Sequence, residues 1–119
     1  MAKLRKADIE RLFHLLDAEL RASGTLGELY VVGGAVMCVA LAARDATADV
    51  DAFFKPTREI REAAARVAPR AGVDARWLND AVKGFLGSRG AFEPWLELPN
   101  LRVFVAEPHY LLAMKCAAM

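Results

Sequence analysis

The stretch ELYVVGGAVMCVALAARDATADVDAFF, residues 28–54, constrains the fold more than any other part of the chain. Leu29, Tyr30, Val31 and Val32 form a β-branched and aromatic run with Gly27 behind it and Gly33-Gly34 ahead, which predicts a strand ending in a glycine turn. Ala35 to Ala43 carries no charge and is rich in alanine, which predicts a buried helix. Val50, Phe53 and Phe54 predict a second strand stopped by Lys55-Pro56. Strand, turn, helix and strand in this order set Asp49 and Asp51 into a segment that otherwise belongs in a core.

The remainder continues the alternation. Ile9, Leu12, Phe13, Leu16 and Leu20 recur at helical spacing and Ser23-Gly24 closes the run, so an amphipathic helix opens the chain. Thr57 is placed to cap a helix carrying Ile60, Ala63, Ala64 and Val67, with Pro69 and Gly72 as its stop. Asp74 is placed to cap another, with Trp77, Leu78, Ala81, Val82 and Phe85 as its apolar face and Asn79, Asp80 and Lys83 on its polar face, before a glycine-rich loop from Gly84 to Gly90. Leu101 to Val105 predicts a third strand and Trp95 to Leu98 a fourth, and Pro108 opens a closing helix from Tyr110 to Met119. The fold class is α/β (α+β).

With 119 residues, 55% of them hydrophobic, residues 1–119 make one domain with core enough to fold without crosslinks. The closing helix is still apolar at Met119, so either its end packs on a partner or on the body, or the chain is a fragment of something longer. Sixteen basic and fifteen acidic residues give a net charge of +1, which argues against a wholesale polyanion footprint. Cys38 and Cys116 each sit in an apolar stretch without a metal-pair spacing, and read as reduced core thiols of a cytoplasmic protein. His14 and His109 have no Cys or His at ligand spacing. No run of eighteen uncharged apolar residues suggests a membrane span.

Residues two apart on a strand share a face, so Asp49 and Asp51 would present their carboxylates together while Val50 points to the core. Two like charges in a dry place are costly unless compensated, and a divalent cation is the economical compensation. Mg²⁺ takes one or two carboxylates and fills its other positions with water and substrate phosphates. Gly33 and Gly34, having no side chains, let backbone N–H groups approach a phosphate beside the following helix N-terminus. Each signal also has a plain alternative. Gly-Gly after a strand is commonly a tight turn, and Asp-x-Asp can be a pair of solvated acids on an edge strand.

Together the segments GGAV, RDATADVDAFF and WLNDAVKGFL resemble the nucleotidyltransferase superfamily with the polymerase-beta-like catalytic core, in a bacterial branch near the AbiEii-type toxin nucleotidyltransferases, over roughly residues 28–119. The resemblance implies a small mixed sheet flanked by helices, and a protein that moves a nucleoside monophosphate from a nucleoside triphosphate onto an acceptor with Mg²⁺. It implies that Gly33 and Gly34 hold the triphosphate, that Asp49 and Asp51 bind the metal, and that Lys115 in YLLAMK meets the nucleotide phosphates, with Arg44 and Thr47 in the segment leading to the acids. RNA as acceptor follows from the family alone. Members commonly add a third carboxylate; here the later strand carries Arg102, and Glu97 is the candidate substitute, although its plainer role is a solvent-facing strand residue.

Three functions are compatible with these residues. One is a Mg²⁺-dependent nucleotidyltransferase, toxin-antitoxin related; another is a catalytically inactive nucleotide-binding module; the third is an association protein that uses the apolar closing helix to form a homo-oligomer or to meet a partner.

Overall fold

The computed structural model describes residues 3–39, 46–80 and 92–106. The elements in chain order are β1 (Leu4–Arg5), α1 (Lys6–Ala22), β2 (Gly27–Val32), α2 (Gly34–Val39), β3 (Ala46–Thr47), β4 (Val50–Lys55), α3 (Thr57–Ala71), β5 (Leu78–Asp80), β6 (Phe92–Glu97) and β7 (Leu101–Ala106). Five strands form a mixed sheet in the order β5-β4-β2-β7-β6, and β1 pairs with β3 in a separate two-stranded ribbon. β2 runs antiparallel to β4 and parallel to β7, so the strand before the glycine turn lies at the centre. The mixed α/β class expected from the sequence is therefore the class observed.

The alternation of side chains decides the two faces of the sheet. Leu29 and Val31 of β2, Val50, Ala52 and Phe54 of β4, and Leu101, Val103 and Val105 of β7 are all buried. They meet α1 and α3, whose own buried stripes are Ile9, Leu12, Phe13, Leu16 and Leu20, and Ile60, Ala63, Ala64, Val67 and Ala68. The layers are close at Gly27, where an added Cβ would stand 2.9 Å from Ile60 Cδ1 and 3.0 Å from Leu20 Cδ1. The other face carries Tyr30, stacked on Phe104 at 4.9 Å between centroids, with Phe92 edge-on at 5.3 Å and Phe53 opposite in the register. Asp51 lies on this second face, two register positions along from the Tyr30–Phe53 pair.

Several expected boundaries move. Thr57 is the first residue of α3 rather than its cap; Pro56 takes the cap position, and the Thr57 hydroxyl donates to the Phe54 carbonyl at 3.1 Å. Pro69 does not stop α3, which runs through it to Ala71 and ends at Gly72 with φ of +72°. A proline in the last turn gives up one hydrogen bond where the helix is about to end, whereas the left-handed glycine closes it. The expected fourth strand is β6, beginning at Phe92 rather than Trp95. Of the helix expected from Ala35 to Ala43, α2 accounts for the part to Val39; residues 40–45 lie outside the described residues, as do the glycine-rich loop and the closing helix.

The largest departure is at residues 74–80. The helix expected to start at Asp74 is a single turn followed by β5. Asp74 does cap, its carboxylate accepting from Arg76 N–H at 2.8 Å and its carbonyl from Trp77 N–H at 3.0 Å. The chain then extends because Trp77 is drawn beneath α3: its ring is 1% exposed and its indole N–H donates to the Ala64 carbonyl at 3.0 Å. The Trp77 carbonyl takes the Val50 N–H at 2.8 Å, which starts the parallel ladder of β5 on β4. Local spacing favoured a helix; a long-range anchor and an open sheet edge favoured a strand.

Glu19 ties the two large helices together across the surface, accepting from Arg66 at 2.8 Å and from Arg70. The Arg66 hydrogen bond, reinforced by Arg70 against the opposing effect of burial, holds the Glu19 carboxyl below its ordinary value. Its contribution to stability is therefore present above the unfolded-state pKa and is lost as pH falls through the lower folded-state value. Glu19→Gln should lower the unfolding midpoint at neutral pH. The gap to wild type should close progressively in the acid range below the usual glutamate pKa, as read by thermal melts across that range.

Candidate functional site

The site is built at the end of the sheet where β2 stops and β4 starts. The register pairs Val32 with Asp51, so the residue after Val32 turns directly over the acid. That residue is Gly33, with φ of +71°, a conformation that side chains rarely adopt. A Cβ at Gly33 would stand 3.5 Å from Asp51 Oδ2, so the glycine backbone and the carboxylate are neighbours with little between them. Gly34 opens α2, and the Gly33 carbonyl accepts from Val36 N–H at 3.1 Å to complete the turn.

Asp49 lies just before β4 and Asp51 inside it; both are half-buried. Burial raises the Asp51 pKa above the ordinary aspartate value, and the neighbouring Asp49 charge raises it further. The paired acids expected from the Asp-x-Asp spacing are thus close enough to feel each other. Thr47 positions the first of them: 7% exposed, it donates its hydroxyl to the Asp49 carbonyl at 3.2 Å. Its contact is with the backbone that carries the acid.

Asn79 belongs to the candidate site, on a strand rather than on the polar face of the helix expected from the sequence. β5 sets it opposite Asp51 in the parallel register, on the same face, and the Asn79 amide beside that carboxylate is the one influence that lowers its pKa. Next to it Asp80 receives Arg61 Nη2 of α3 at 3.1 Å, a structural ion pair. No periodicity in the sequence could have found Asn79, because its place depends on which strand β5 joins.

Gly33, Gly34, Thr47, Asp49 and Asp51 are therefore gathered at one end of the sheet. Arg44 and Lys115 lie outside the described residues. Glu97 stands exposed, with Arg102 Nε 4.0 Å from its carboxylate, in keeping with the solvent-facing role. Trp77 is core, and Cys38 is buried. Among the described residues no group of three or more His, Cys, Asp or Glu side chains converges on one point, so the site offers two carboxylates and an amide. That donor set suits a hard cation that keeps water or phosphate in its other positions: carboxylate oxygens are its preferred ligands, and it would relieve the repulsion between the two acids.

A cleft of about 700 Å³ lies at the opposite end of the strands, lined by Gly27, Lys55, Pro56, Asn100 and Arg102 among others. Its charges are already matched, Lys55 lying 3.6 Å from Glu28 and Arg102 4.0 Å from Glu97. The acid pair beneath the glycine turn is the better candidate, because two like charges held together in a half-buried place call for a compensating ligand. No helix among the described residues is long and apolar enough to cross a membrane.

Fold and site together define a mixed α/β protein with a coupled carboxylate pair beneath a glycine turn at one end of its sheet. Comparison with family models, with curated proteins and with solved structures finds no match.

Proposed function

We propose that this chain is a cytoplasmic, Mg²⁺-dependent nucleotidyltransferase-like protein that binds a nucleoside triphosphate between its glycine turn and its acid pair. The observation that carries the reading is the apposition of Gly33 and Asp51, a left-handed glycine with its Cβ position 3.5 Å from a carboxylate oxygen that is coupled to a second acid. A plain tight turn needs no acid beneath it, and solvated edge acids need no burial.

In this reading Asp49 and Asp51 hold the cation, while Gly33 and Gly34 leave the phosphates room to approach the backbone. Bound Mg²⁺ supplies charge neutralisation and orientation of the triphosphate. Thr47 fixes the Asp49 backbone, and Asn79 fixes the Asp51 carboxylate. The reaction is attack of an acceptor hydroxyl on the α-phosphorus, forming one P–O bond and releasing pyrophosphate as the other breaks. Nucleotidyl transfer gains mainly from positioning and electrostatics, so this small set of residues matches its needs.

The test is a thermal-shift titration with each nucleoside triphosphate, with and without Mg²⁺, beside Asp49→Ala. Stabilisation that requires the metal in wild type and disappears in the variant is the expected result, since a ligand binding only the folded state stabilises it by mass action. Absence of any metal-dependent shift in the folded wild-type protein would remove the nucleotide reading.

A further inference from the structure

Asn79 is a neutral side chain set beside the acid pair, and the fold holds it there firmly. β5 is only three residues long, at the sheet edge, yet α3 holds it on both sides of Asn79. On one side the buried Trp77 donates its indole N–H to the Ala64 carbonyl at 3.0 Å; on the other Asp80 receives Arg61 at 3.1 Å. Trp77 precedes the strand; within β5, Leu78 and Asp80 stand level with Val50 and Ala52 on the helix face, so alternation leaves Asn79 on the opposite face, level with Asp51. An ionised carboxylate only accepts hydrogen bonds, so the Asn79 amide is the donor.

We propose that Asn79 is the positioning residue of the acid pair, holding the Asp51 carboxylate in the orientation that receives a divalent cation while adding no third negative charge. This rests on the cation-binding reading of Asp49 and Asp51 and deepens it. A carboxylate ligand whose orientation is fixed by a neighbouring donor binds its metal more tightly than one left to rotate, and loss of such a partner typically weakens metal affinity about 10–100-fold. The neutrality of the amide has its own consequence: two acids and an amide carry enough charge for one divalent ion, and replacing the amide with an acid should deepen the well for it.

The experiment is Mn²⁺ binding to the nucleotide-free protein, read by the electron paramagnetic resonance signal of free Mn²⁺, with metal-free melting curves as the folding control. Wild type should bind Mn²⁺, Asn79→Leu should fold and bind it about 10–100-fold more weakly, and Asn79→Asp should bind it more tightly than wild type. Equal dissociation constants in wild type and a folded Asn79→Leu would overturn the positioning role. Should the leucine variant not fold, Asn79→Asp decides alone, since an unchanged constant would place residue 79 away from the cation. A wild-type protein that binds no Mn²⁺ while Asp51→Asn behaves identically would instead overturn the cation reading of the acid pair itself.

Discussion

Trp77→Ala should destabilise the protein by about 3–5 kcal/mol, the range for deleting a large buried aromatic side chain. The ring is 1% exposed, packs 6.3 Å from the Phe13 ring between centroids, and bonds the Ala64 carbonyl at 3.0 Å. Truncation leaves a cavity between α1, α3 and the sheet edge and removes the indole donor from the Ala64 carbonyl. The unfolding midpoint should fall by about 10–20 °C for a domain of this size. Trp77→Phe separates the two contributions: it keeps most of the packing, loses the indole N–H, and should cost about 1–3 kcal/mol. Denaturant melts of both variants give the comparison. A loss below about 1 kcal/mol for the alanine variant would mean that the tryptophan does not anchor β5.

The second large effect is at Asp51, where stability and function should move in opposite directions. Folding brings this carboxyl into a partly buried place beside Asp49, and both influences raise its pKa above the unfolded value. The sign follows from linkage. Below the unfolded-state pKa the group is protonated in both states and costs nothing; the penalty grows as pH rises between the unfolded and the folded values, and stays constant above. Metal-free Asp51→Asn should therefore melt higher than wild type at neutral pH, with the difference disappearing once pH falls below the ordinary aspartate range. The same variant should lose the stabilisation by Mg²⁺ and nucleoside triphosphate, which for a ligand at a hundred times its dissociation constant is about 2.7 kcal/mol. A variant that melts lower than wild type at neutral pH without metal would show that Asp51 serves the fold rather than a ligand. Such an exchange of stability for binding is the usual mark of a functional site.

Much of this was legible in the primary structure because it is local. The period of Ile9, Leu12, Phe13, Leu16 and Leu20 specified α1, and the run from Leu29 to Val32 before two glycines specified β2 and its turn. The spacing of Asp49 and Asp51 exposed the strongest electrostatic conflict in the chain, and the two acids are indeed coupled. The family resemblance put Thr47 in the segment leading to them, whereas its hydrogen bond to the Asp49 carbonyl is a property of the folded turn.

What remained hidden depends on partners far away in sequence. Residues 74–80 carry both a capping aspartate and an apolar spacing that suit a helix, and nothing local announces that Trp77 is held by Ala64, thirteen residues earlier. β1 and β3 are two residues each, too short for any periodicity, and exist because each pairs with the other. The parallel partnership of β2 with β7 joins segments more than seventy residues apart.

The sequence by itself determined the mixed helix and strand composition, the glycine turn and the presence of two acids two positions apart in one segment, since turn chemistry and hydrophobic period are properties of consecutive residues. Only the tertiary structure decided that the turn lies over Asp51 and that Asn79 stands beside it. Those adjacencies come from strand order and register, which are chosen by the burial of whole faces and by anchors such as Trp77 rather than by any residue's own preference.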